Sequence, residues 1–225
     1  MKIICISDTH NYHKTIKLPE GDIIVHTGDF SSRGYNHELE DFTKWYGSLK
    51  YKHKVLIAGN HDIGTEKKEL EFKKMCTDND IIYLNDSGIS LEGIMFWGSP
   101  VTPRFGNGWA WNRDIENLIP PRGTVYNPIK DHWDRIPDNV DVLLTHGPPK
   151  GVLDFTYYDQ KHVGCPILLD KVLDIAPKLH IFGHIHECQG MDQIGDTVFV
   201  NASICTLQYK PTNKPIVVEI DNEKI

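Results

Sequence analysis

Cysteine is scarce in this 225-residue chain: Cys5, Cys76, Cys165, Cys188 and Cys205 are odd in number and show no CxxC spacing. Neither a disulfide framework nor a thiolate zinc site is expected, and a reducing compartment is favoured. Long apolar runs are missing, since none approaches the ~18 residues that a membrane-spanning helix needs. Met1 leads directly into Lys2-Ile3-Ile4-Cys5-Ile6-Ser7 without the pattern of a signal peptide, so a cytoplasmic protein is expected. Positive charge is also in deficit. A formal net charge of −7 argues against non-specific binding of duplex nucleic acid. It leaves room for a nucleotide in a pocket made positive by bound cations. No internal repeat, low-complexity tract or dividing linker interrupts the chain, so residues 1–225 read as one α/β domain. The length allows a substantial core without covalent staples.

What is present is a series of short apolar runs, each closing on polar residues. Strands are expected at residues 2–7, 22–25, 53–58, 81–84, 140–145 and 179–182, with late strands at 197–200 and 215–220. A hairpin is expected over 89–97, turning at Glu92-Gly93. Leu39, Phe42, Trp45, Tyr46 and Leu49 recur at helical spacing, and further helices are expected over 65–76, 129–136 and 166–176. Strands alternating with helices imply parallel crossovers. In such a sheet, ligands bind at the C-terminal strand edges.

Those edges carry Asp8, His10, Asp29, Asn60, His61, His146, His184 and His186. Oxygen and imidazole donors without thiolate suit manganese, iron, zinc or nickel better than calcium. Two ions held ~3.5–4 Å apart need a shared anionic ligand, and Asp29 is the natural bridge. His184 and His186, placed on an extended segment, would project from one face and reach neighbouring ions. Spacing alone leaves open which histidine meets which ion.

The ordered blocks Asp8-Thr9-His10, Gly28-Asp29, Gly59-Asn60-His61-Asp62, His146 and Gly183-His184-Ile185-His186 resemble the calcineurin-like metallophosphoesterases. Gly28-Asp29-Phe30, Asn107-Gly108-Trp109, Thr145-His146-Gly147-Pro148-Pro149, Val163-Gly164-Cys165, Asn201-Ala202-Ser203 and Lys210-Pro211-Thr212-Asn213 are similar to the MPPED-type branch, which is linked to phosphodiester cleavage, including that of cyclic nucleotides. The resemblance implies a four-layer αββα sandwich with two mixed sheets. It implies that Asp8, His10, Asp29 and His186 hold one divalent ion, manganese being the first choice. Asp29, Asn60, His146 and His184 would hold the other. His61, oriented by Asp62, would face the substrate and donate to the leaving group. The implied reaction is hydrolysis of a small or cyclic nucleotide-like phosphodiester, with a phosphomonoesterase or a non-catalytic scaffold as alternatives.

The stretch 104–123, rich in Gly, Asn and aromatics, is long for a connection and therefore a candidate functional loop. Trp109, Asn112 and Arg113 are candidate substrate contacts there, stacking a base or meeting phosphate, and residues 114–121 read as an insertion. His162 is a further candidate beside the site. Arg33 is expected at the surface, and the charged run from Glu66 to Lys74 as a solvated helix face. The oligomeric state is left open.

Overall fold

The computed structural model describes residues 1–115 and 126–221. In chain order, β1 (Lys2–Ile6) and β2 (Ile23–Thr27) precede α1 (Asn36–Ser48), then β3 (His53–Ile57), α2 (Ile63–Lys67) and α3 (Glu69–Asp78). Next come β4 (Ile82–Tyr83), β5 (Ser87–Leu91), β6 (Ile94–Ser99), β7 (Thr102–Pro103), β8 (Asn112–Arg113) and α4 (Lys130–Trp133). They are followed by β9 (Val142–Thr145), β10 (Phe155–Thr156), β11 (Lys161–His162) and α5 (Pro166–Ile175). The last elements are β12 (Leu179–Phe182), β13 (Gly190–Ile194), β14 (Thr197–Asn201) and β15 (Ile216–Glu219).

One sheet runs β15-β1-β2-β3-β4 and the other β13-β14-β12-β9-β6-β5. Strands β1 to β4 are mutually parallel, as are β14, β12, β9 and β6, while antiparallel β15, β13 and β5 lie at edges. Alternation along the strands sorts side chains between two faces. Ile3 and Cys5 of β1 join Val25, Val55, Phe96, Val142 and Ile181 between the sheets. Ile4 and Ile6 face the other way, packing with Phe42 and Tyr46 of α1 and Phe72 of α3. Leu143, Phe182 and Phe199 of the second sheet bury their outer face against Trp133 of α4 and Leu168 and Val172 of α5. The layers are therefore α, β, β, α.

Local chemistry sets the element ends. Leu39, Phe42 and Tyr46 put the apolar stripe of α1 inward, and the Tyr46 hydroxyl donates to the carbonyls of Ile24 and Val55 at 3.1 and 2.8 Å. Pro166 opens α5, where a missing N–H costs nothing, and Ala176 in the left-handed region closes it. The single helix expected over 65–76 is two helices instead. Lys68, at φ −133°, breaks it. Edge strand β13 was not expected at all. Its Met191, Gln193 and Ile194 are exposed, so no buried periodicity marks it.

The parallel strands matter most for the site, because all their C-terminal ends point the same way. The backbone bridge between Ser7 and Ser203 joins the sheets at that end.

Candidate metal centre

Every ligand-type residue sits just past one of these strand ends: Asp8 after β1, Asp29 after β2, Asn60 after β3, His146 after β9, and His184 and His186 after β12. The turns are sharp. Asp8, His10, Asp29 and His184 have φ of 52°, 40°, 54° and 68°, in the left-handed region that L residues other than Asn, Asp and His rarely occupy. Such strain concentrates at functional sites, held by the surrounding structure. Gly183 shows how close the packing is, since a Cβ there would overlap the Asp8 carboxylate and the Ser7 hydroxyl.

Hydrogen bonds orient the donors. Asp8 Oδ2 accepts the Ser203 hydroxyl at 2.8 Å and the His184 N–H at 2.9 Å, so one carboxylate ties both sheets together. Its Oδ1 is buried, has no hydrogen-bond partner, and lies 3.4 Å from His186 Nε2. His186, His146 and His61 each place Nδ1 against a main-chain carbonyl, of Thr206 (3.1 Å), Thr27 (2.8 Å) and Ser32 (2.8 Å) respectively. A carbonyl can only accept, so Nδ1 carries a proton and Nε2 is the nitrogen turned towards the site. Those Nε2 atoms converge. His186 Nε2 is 3.2 Å from His10 Nε2, and His146 Nε2 is 2.9 Å from Asn60 Oδ1 and 3.4 Å from Asp29 Oδ2.

Three groups of donor atoms, each within 4.8 Å of one another, could hold a metal: Asp8–His10–His186, His10–Asp29–His61 and Asp29–His146–His184. Asp29 belongs to two of them. The electrostatics suit cations. Burial pushes His10 down to about 4 and His184 to about 3, keeping both imidazoles neutral as ligands must be. Burial also opposes charge on His146, yet Asp29 outweighs it and lifts the ring to about 9. Against burial, His186 and its neighbours hold Asp8 well below the usual carboxylate range, and His146 does the same for Asp29. These carboxylates stay ionised and attract positive charge. An unpaired buried oxygen facing clustered Nε2 atoms fits a divalent ion.

The family model described as calcineurin-like phosphoesterase matches residues 1–188. The chain belongs to the calcineurin-like phosphoesterase family. It is also closely related to the MPPED-type proteins. The metallophosphoesterase is 37% identical to human metallophosphoesterase domain-containing protein 1 over 97% of its own length and 71% of the relative's. A nematode UPF0046 protein of Caenorhabditis elegans is 32% identical over the whole of this chain and 77% of its own. The crystal structure of TT1561 of Thermus thermophilus superposes with a TM-score of 0.56 at 11% identity, covering 89% and 88% of the two chains, which shows the shared fold alone. Fold and candidate metal sites together support a metal-dependent hydrolase of the phosphoesterase superfamily. No helix among the described residues is long and apolar enough to cross a membrane.

Several expected roles change. His184 and His186 do not project from a strand; the left-handed turn at His184 and a 3-10 turn over His186–Cys188 turn both rings inward. Asp62 does not orient the His61 ring, a task that falls to the Ser32 carbonyl. Fully buried, Asp62 accepts the N–H groups of Asp29, Gly59 and Ser31 and the Ser31 hydroxyl, at 2.6–3.0 Å, and so shapes the main chain beneath the site.

Of the loop candidates, Trp109 lies against His61, with ring centroids 4.5 Å apart. Asn112 braces the loop internally, bonding Phe105 N–H and the Ala110 carbonyl. Arg113 is held by Glu66 at 2.9 Å and His132 at 3.0 Å, so Glu66 is a brace rather than a purely solvated residue. His162 pairs with buried Asp154 on the β10–β11 hairpin at 2.5 Å. Residues 116–123 of the loop, and most of the 114–121 insertion, lie outside the described residues.

Three contacts were missed. Arg33 is exposed, as expected, but stands over the Trp109 ring at 5.2 Å, a contact the sequence did not indicate. Tyr209 packs against His10 at 4.8 Å and His186 at 5.3 Å. Phe105 meets His184 at 5.0 Å. Only the prolines after Tyr209 hinted at an irregular turn there.

Proposed function

We propose that this chain is a binuclear metal-dependent phosphodiesterase acting on small or cyclic nucleotide-like phosphodiesters. The observation that carries the reading is Asp29, whose carboxylate belongs to two donor groups at once. Asp8, His10, Asp29 and His186 would hold one ion, and Asp29, Asn60, His146 and His184 the other, with manganese the first choice. When bound, a pair of divalent ions supplies positive charge to phosphoryl oxygens and a nucleophile at neutral pH. Two such ions against two carboxylates leave roughly +2, which is how an acidic protein attracts a phosphate ester.

The chain's own residues do the rest. His61, its Nδ1–H given to Ser32, turns Nε2 towards the site, where the doubly protonated ring would pass its Nε2 proton to the leaving oxygen and be left as neutral imidazole. Trp109 walls the cleft beside it, and Arg33, 5.2 Å over that ring, adds positive charge. Strand β15, beyond the family match, pairs with β1 and supports reading the chain as one domain. We place the enzyme in the cytoplasm, where buried free thiols are stable.

The test compares bis(p-nitrophenyl) phosphate with p-nitrophenyl phosphate, with Mn²⁺ and with EDTA. Diester turnover should dominate, stop on chelation and return with Mn²⁺. Comparable or faster monoester turnover would favour the phosphomonoesterase reading. Metal-independent turnover, undiminished in Asp29→Asn, would remove the binuclear centre from the account. A partner-binding scaffold would be inactive both before and after Asn60→Ala, and would still bind its partner.

A further inference from the structure

Two cavities meet at Phe105 and His184. The smaller, about 180 Å³, lies over Asp29, Asn60 and His186 and contains His61, Trp109 and Tyr209. The larger, about 390 Å³, lies beside it and does not include His61. Among the described residues its lining includes Phe105, Pro148, Val163 and Ile185, with Arg104 and Lys161 as the cations. Both cations face acids. Arg104 is bound to Asp114 through Nε and Nη2 at 2.5 and 3.2 Å, and Lys161 lies 3.4 Å from Asp159. With the charges of the described residues balanced, this lining is a poor site for a second phosphate and a good one for an uncharged organic group.

We propose that the larger cavity binds the uncharged substituent that stays on phosphorus after hydrolysis, and that it selects diesters whose retained group is aryl or nucleobase in size. This rests on the phosphodiesterase reading above. The assignment to the retained group follows from His61. The residue placed to protonate the leaving oxygen lies in the small cleft, so the leaving group departs there. The ester's other arm is directed past His184 and Phe105 into the larger space. A volume near 390 Å³ accommodates a ring system of that size. A monoester has no second organic arm to place in it.

The experiment uses two esters with one leaving group, p-nitrophenyl phenyl phosphate and p-nitrophenyl methyl phosphate, on the Mn²⁺-loaded protein. The phenyl ester should have the higher kcat/KM by roughly tenfold, the usual discrimination of an apolar pocket. Val163→Trp fills the cavity and should collapse that ratio towards one. Thr156→Tyr, on another wall, serves as a second filling variant in case the first does not fold. A wild-type ratio near one, or a ratio unmoved in both folded variants, would overturn the subsite while leaving the diesterase reading intact. If neither diester is hydrolysed, the diesterase reading falls and binding decides the subsite. Phenylphosphonate should then bind the wild type about tenfold more tightly than methylphosphonate, with the advantage lost on filling. Equal binding of the two would overturn it.

Discussion

The Asp62 carboxylate holds the main-chain N–H of Asp29 at 2.9 Å, fastening the turn after β2 to the turn after β3. The same oxygen accepts Gly59 N–H at 2.8 Å, and the other takes both hydrogen bonds of Ser31. A buried carboxylate receiving four donors is a clamp on the backbone that presents the bridging aspartate.

Asp62→Asn should therefore lower stability as well as activity. An amide turns N–H towards groups that themselves donate, leaving at least one buried donor unsatisfied, at a cost of about 1–3 kcal/mol. Denaturant unfolding should show an earlier midpoint with the slope unchanged. A variant as stable as the wild type would mean the turn does not depend on this clamp.

Gly183→Ala tests how closely the strand ends approach. A Cβ there would overlap Asp8 and Ser7, both fully buried, so the Asp8 donor group must move. Metal content measured by elemental analysis of Mn²⁺-loaded protein should fall from two ions per chain to at most one. Full loading in the variant would show that the group can shift without losing its ion.

His61→Ala separates proton donation from binding. Removing a general acid typically costs 10²–10⁴-fold, but only where the leaving group needs a proton. Rates for alkyl diesters should fall by roughly a hundredfold, and those for p-nitrophenyl esters far less. A uniform loss across leaving groups would assign His61 to substrate positioning instead.

His180, hydrogen-bonded to Thr145 on the strand that leads to His146, gives the fold an acid limit. The Thr145 hydroxyl donates to Gly147 O at 2.7 Å, so its oxygen accepts His180 Nε2–H at 2.8 Å, and Nδ1 stays buried without a partner. Burial pushes this imidazole down from 6.5 to about 3. Between those values the unfolded chain binds a proton that the folded one refuses, so stability falls as pH drops through the window. At pH 5 the loss is about 2 kcal/mol. His180→Gln keeps an N–H for Thr145 and should flatten the stability-against-pH curve between pH 6.5 and 4. An unchanged slope would place the acid sensitivity elsewhere, as at His26, also buried and pushed down to about 3.

Much of this was legible in order. Apolar runs closing on Gly-Asp, Gly-Asn-His and Gly-His-Ile-His announce strands that deliver ligands, because burial imposes local periodicity and a sheet must end somewhere. The left-handed turn at His184 was not legible, since the same His-Ile-His read as extended would still put both rings on one side. Nor was the brace from Glu66 to Arg113, whose residues lie 47 apart.

The amino-acid sequence alone determined the alternation of strands and helices, which follows from which residues must be buried. Its ordered blocks named the candidate donors and, through the family resemblance, the layered sandwich. Tertiary structure decided what each donor faces. The carbonyls of Thr27, Ser32 and Thr206 select the inward nitrogen of three histidines, and Ser203 leaves one oxygen of Asp8 unpaired. These partners come from distant strands and turns, up to 195 residues away, and no local pattern records them. Directional hydrogen bonds form only once both sheets have packed.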